Sequence, residues 1–161
     1  MPDASFRSPI DDRWFEDYVP GDTHRFGRIE VDADEVLDFA RRFDPQPFHI
    51  DENAARNTIF GGIIASGWHT GSMMMREFAD HYLSHNASLS SPGLDNLRWP
   101  APVRPGDRLG LRVTVMEARA SASKPDRGVV RSLIEVLNQA GVVVMSVEAV
   151  NLLKRRPAPD A

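Results

Sequence analysis

The stretch that most restricts what this chain can become begins at Ser66 and runs to about residue 83. From Gly67 onward, Trp68, Gly71, Met75, Phe78, Ala79 and Tyr82 fall at i, i+3, i+7, i+10, i+11 and i+14, the spacing of one helical face. Met73 and Met74 lie off that face, so the middle of this helix is apolar nearly all round, the mark of a buried helix rather than a surface one. The chain beyond it has the texture of strands. Residues 94–99, 109–118, 129–137 and 142–153 come in succession, with turn signals at Arg104-Pro105-Gly106-Asp107 and at Asn138-Gln139-Ala140-Gly141. The last two segments read as a hairpin. One apolar helix ahead of a run of strands predicts an α+β fold, with a long antiparallel sheet wrapped around a central helix.

The first half of the chain leads up to that helix. Residues 1–13 are polar and contain proline, an arm expected to have little structure of its own. Trp14, Phe15, Tyr18 and Val19 precede a Pro20-Gly21-Asp22 turn, and residues 24–31 alternate well enough for a strand. Asp32 is placed to cap a helix, with Glu35 three positions on. The apolar face of that helix is Val36, Leu37, Phe39, Ala40 and Phe43, and Pro45 ends it. Residues 44–51 read as a loop, leading into a short helix that Asp51 caps and that ends near residue 57. Residues 84–93 read as a second loop and 154–161 as a tail. A single domain over 14–153 is expected, and its length allows one core without disulfides or a structural metal.

Composition removes several functions. There is no cysteine, so thiol catalysis, thiolate zinc sites and disulfides are excluded. The net charge is −4 and the basic residues are scattered, which argues against nucleic acid as a partner. The first twenty residues hold no apolar run fit for a signal peptide and nothing later approaches a membrane span, so a cytoplasmic location is expected.

Chemistry concentrates in residues 43–70. Asp44 and His49 stand five positions apart with Pro45 and Pro47 stiffening the link, and Ser66-Gly67 opens the long helix. A carboxylate, an imidazole and the free N–H groups of a helix start are the parts needed to move a proton beside a carbonyl. The plainer reading is that Asp44 caps a turn and His49 completes a buried hydrogen bond. Other groups carry weaker signals. Glu77, His81 and His85 share a helical face and could hold a metal, though histidines near a helix C-terminus also serve the dipole; no metal is expected. His69 reads as packing, Met73, Met74 and Met75 as core or an acyl tunnel, and Arg98, Arg104 and Arg108 as solvated surface or phosphate contacts.

The order Asp44-Pro45-Gln46-Pro47-Phe48-His49, continued through Ala54-Ala55 to Ser66-Gly67 and on to Pro105-Gly106-Asp107, resembles the signature of the MaoC-like hydratases and dehydratases, which include the R-specific enoyl-CoA hydratases. The resemblance covers roughly residues 14–153. It implies a hot-dog fold and a homodimer. It implies an acyl-thioester substrate, carried on coenzyme A or acyl-carrier protein, and reversible addition of water across a 2-enoyl double bond without a cofactor. By residue, it implies Asp44 and His49 as the catalytic pair and the Gly67 N–H as oxyanion donor. Ser66, Trp68, Ser72 and Met75 are the associated substrate-binding candidates. The sequence departs from the signature at Gln46, where asparagine is usual, and at Phe48, where a small aliphatic is usual. It also has Met75 where the hydratases carry a serine, with Ser72 one turn away. A thioesterase on the same fold, or a non-catalytic acyl-binding subunit, are the alternatives.

Overall fold

A computed structural model describes residues 3–160. Five antiparallel strands form one sheet: β1 (Thr23–Glu30), β2 (Ser88–Arg98), β3 (Arg108–Ala120), β4 (Arg127–Leu137) and β5 (Val143–Lys154), in the order β1-β3-β4-β5-β2. Burial along β4 alternates at every residue, as a strand covered on one face requires. Four helices complete the domain: α1 (Ala33–Phe43), α2 (Pro47–Ile50), α3 (Glu52–Arg56) and α4 (Gly67–His81). Met74 and Phe78 of α4, with Tyr82 just beyond it, pack into the buried face of the sheet among Val113, Ile134 and Val147. This is the hot-dog arrangement, α+β, that the sequence implied.

The caps fall where the side chains predict them. Asp32 accepts from the Glu35 N–H at 3.0 Å, Asp51 accepts from the Asn53 and Ala54 N–H groups, and Ser66 accepts from the Trp68 N–H at 3.3 Å. Each such cap is worth about 1 kcal/mol. The Pro-Gly-Asp motif is a structural turn. Gly106 sits at φ +90°, the Arg104 N–H donates to one Asp107 oxygen at 2.9 Å, and the Gln139 side chain donates to the other at 3.0 Å. That second bond ties the β3 turn to the β4–β5 hairpin.

Four expectations change. The 44–51 loop contains a helical turn, α2, started by Pro47 at its first position, where proline's fixed φ suits a helix. The 84–93 loop is shorter than expected because β2 begins at Ser88. As an edge strand bonded only to β5 it has no buried face to impose alternation, so Ser-Ser-Pro-Gly reads as a turn in the sequence. The N-terminal arm is docked. The Ala4 N–H donates to Thr23 O at 2.6 Å, residues Ile10–Asp12 form a 3₁₀ turn, and Phe6 stacks on His24 with ring centroids 4.0 Å apart. The faces of α4 also differ from the reading: Met74 is buried, whereas Trp68 and Met75 are 61% and 45% exposed. The sheet covers one side of α4, and its other apolar stripe is left open in a single chain.

Candidate active site

The Asp44–His49 pair is assembled by the end of one helix and the single turn of another. The Asp44 N–H closes α1 on Ala40 O at 2.8 Å, the Gln46 N–H bonds back to Asp44 O at 2.8 Å, and α2 then turns His49 inward. His49 is buried, and its Nδ1 lies 2.7 Å from the carbonyl oxygen of Ile64. A carbonyl only accepts, so Nδ1 carries the proton and Nε2 is the atom free for chemistry. Nε2 stands 3.3 Å from Asp44 Oδ2. Phe48 packs edge-on to the His49 ring, centroids 4.4 Å apart, and so helps fix its plane.

Asp44 is held on both oxygens. Gln46 Nε2 donates to Oδ1 at 2.6 Å and Ser66 Oγ donates to Oδ2 at 2.7 Å. Burial pushes this carboxyl up, but the Gln46 and Ser66 hydrogen bonds and the facing His49 together outweigh it and leave its pKa below the ordinary carboxylate value. Asp44 is therefore ionised at neutral pH. Gln46, a departure from the family signature, still supplies a donor to the acid.

Asp44, His49, Gly67 and Trp68 line one cavity of about 390 Å³, together with Trp99 and the Pro100-Ala101-Pro102 run. The Gly67 N–H finds no acceptor among the described residues and belongs to the first turn of α4, where the helix dipole favours negative charge. A Cβ at Gly67 would stand 2.5–2.8 Å from atoms of the Trp99 indole. The space beside the Gly67 Cα is thus filled by Trp99. Trp68 meets Trp99 in a T-shaped contact with centroids 5.3 Å apart.

The remaining candidates divide. Ser66 is fully buried beneath the site, bonded to Asp44 and capping α4, and so braces the carboxylate from behind. Ser72 and Met75 line a neighbouring cavity rather than this one, and the Ser72 hydroxyl donates to Trp68 O at 2.8 Å. His69 stacks on Phe39, centroids 4.8 Å apart. His81 pairs with Glu77 at 3.1 Å while His85 turns away to Asp11 at 3.0 Å, and no acidic or histidine cluster among the described residues could hold a metal. Arg104 is engaged by Phe60 O at 2.6 Å. Sequence reasoning missed Trp99, whose place over Gly67 is set by a contact between distant parts of the chain. No helix of the described residues is long and apolar enough to cross a membrane.

Comparison with known proteins gives the family and the fold. The MaoC-like domain profile matches residues 17–136. A solved MaoC-like dehydratase from Rhodospirillum rubrum is 41% identical, with a TM-score of 0.84 over 91% of this chain and 99% of that one. The solved (R)-hydratase of A. caviae, involved in PHA biosynthesis, is 25% identical, with a TM-score of 0.66 over 86% of this chain and 97% of that one. An uncharacterized Bacillus subtilis protein, YdeM, is 27% identical over 140 residues, 87% of this chain and 98% of its own length.

Proposed function

The chain belongs to the MaoC-like domain family, and from that premise we propose that it is a hydratase/dehydratase acting on a 2-enoyl thioester. The observation that carries the reading is the Asp44 Oδ2 to His49 Nε2 approach of 3.3 Å in the cavity that also holds the Gly67 N–H. The thioester oxygen accepts from the Gly67 N–H, which draws charge away from C3. Asp44 and His49 divide the two proton tasks. One takes a proton from water as its oxygen bonds to C3, the double-bond electrons move toward the thioester, and that proton crosses the 3.3 Å contact to the other, which delivers it to C2. Run backward, the same steps remove water from a 3-hydroxyacyl thioester. The pair is worth roughly 10²–10⁴-fold and the oxyanion donor about 10²–10³-fold.

The proposal extends to a homodimer. Trp68 and Met75 on α4, Leu94 on β2 and Trp99 just past it are each 40% exposed or more, and they lie beside the unpaired edge of the sheet. A second copy placed across this face would cover the open stripe of α4 and the edge together.

The test is a 2-enoyl-CoA series from short to long chains. Hydration removes the ultraviolet absorbance of the conjugated double bond and leaves the thioester whole. Release of free thiol in step with substrate loss would instead establish a thioesterase, and binding without either change a non-catalytic subunit.

A further inference from the structure

The Pro105-Gly106-Asp107 turn takes no part in the chemistry described above, yet it is bonded to the sheet on two sides. The Gly106 N–H donates to Val31 O at 2.7 Å and the Val31 N–H to Asp107 O at 2.9 Å, which fixes the turn to the end of β1. The Gln139 side chain, through Asp107, fixes it to the β4–β5 hairpin as well. What this platform presents is the pair of residues just before it. The Val103 carbonyl accepts from the Ala65 N–H at 2.8 Å, and Arg104 Nη2 donates to the Phe60 carbonyl at 2.6 Å.

Those two bonds grip the ends of residues 60–65, a run with no helix or strand of its own. Within it, the Ile64 carbonyl is the acceptor that holds His49 Nδ1 at 2.7 Å, while the Ile64 N–H reaches Phe48 O at 3.4 Å. Phe60, at the other end, lines the cavity of Asp44 and His49. Its ring faces that of Phe48, centroids 6.2 Å apart, and Phe48 in turn packs on His49. A run without a ladder of backbone bonds keeps its place through outside contacts such as these. The bond at Ala65 joins backbone to backbone, whereas the bond at Phe60 depends on one side chain, that of Arg104. The Arg104 N–H is itself held by Asp107 Oδ2, so the guanidinium starts from a fixed point.

We propose that Arg104 is a positioning residue for His49: it clamps the Phe60 end of this run, keeps the Ile64 carbonyl on Nδ1 and so sets the imidazole against Asp44. The kinetic arm of the test rests on the hydratase reading above, and the spectroscopic arm does not. In the full-length protein the His49 Nδ1 proton, assigned by its absence in His49→Ala, should give a slowly exchanging downfield NMR signal, as a buried 2.7 Å bond requires. Arg104→Met keeps the length of the side chain and removes its donors. It should speed exchange of that proton about tenfold in a protein that still unfolds cooperatively. With a 2-enoyl-CoA, its kcat should fall on the order of tenfold to a hundredfold while KM changes little, because a misplaced imidazole weakens the transition state and leaves ground-state binding alone. Arg104→Lys, which retains one donor within reach of a carbonyl, should show smaller losses in both, and it decides alone if Arg104→Met does not fold. A rise in KM with kcat unchanged would make Arg104 a contact for the phosphates of the carrier and overturn the proposal. An unchanged His49 proton would also overturn it, since the run would then stand without the clamp. Faster exchange in a protein that turns over no enoyl thioester would keep the clamp and reject the hydratase reading.

Discussion

Ser66 joins the helix to the acid with one hydroxyl, which accepts from the Trp68 N–H and donates to Asp44 Oδ2. Ser66→Ala should therefore lower the unfolding midpoint through a lost cap worth about 0.5–2 kcal/mol. It should also move the acidic limb of the pH–rate profile upward, because a carboxylate that loses a donor holds its proton more tightly. An unmoved limb would show that the bond to Asp44 is idle. Asp44→Asn and His49→Ala should each cost roughly 10²–10⁴-fold in turnover. Asp44 also enters stability. Its folded pKa is depressed, so its contribution is present above the unfolded value and is lost as pH falls through the folded one. The gap in unfolding midpoint between wild type and Asp44→Asn should accordingly be widest near neutrality and close in acid, as thermal melts across that range would show. These two residues were legible because an acid and an imidazole flanking prolines carry their chemistry in their types and spacing. Trp99 was not, since its importance comes from lying over Gly67, 32 positions earlier, and no local pattern announces such an approach.

At the scale of elements, α1, α3, α4 and the three central strands were readable from caps and alternation, whereas only residues 94–98 of β2 were, and the docking of the arm was not. β2 has one half-buried side chain, Leu97, so the two-residue period that reveals a strand is missing. The arm is held by contacts that only the folded chain provides: Phe6 stacks on His24, and the Arg13 guanidinium lies 3.6 Å over the Phe6 ring while donating to the His81 and Tyr82 carbonyls. Burial lowers the His24 pKa below its ordinary 6.5; Asp22, Asp3 and the Ala4 backbone oppose the shift and Arg13 adds to it. The unfolded chain then binds the proton more readily, so stability should be complete above about pH 6.5 and fall as acid converts the unfolded histidine to its charged form. Burial lowers His69 as well, so the melting midpoint of the wild type should drop between pH 7 and 5. His24→Phe should remove part of that slope. A slope identical in the variant would assign the whole effect to other groups.

The architecture of the whole molecule could be read ahead of its details, because a helix apolar on nearly every side can be satisfied only by being enclosed. The sequence left open which stripe the sheet encloses, since periodicity reports that two apolar faces exist and not which layer reaches each. The uncovered stripe argues the homodimer at this scale: light scattering should give twice 18.0 kDa, and Leu94→Glu, placing charge in the middle of the patch, should halve that mass with the fold retained. A wild-type monomer at micromolar concentration would sink the dimer. Gly67 and Trp99 come from the helix layer and from the end of the edge strand, and their contact binds the histories of both. A side chain can arrive at position 67 only after the residue at 99 has become smaller, so one order of mutation is open to a lineage and the other is closed. Trp99→Leu should make Gly67→Ala tolerable, with the pair of substitutions less damaging to the melting midpoint than the sum of the two alone. Strict additivity would mean that the two positions drift independently, and that descendants of this sequence can lose the glycine without first losing the indole.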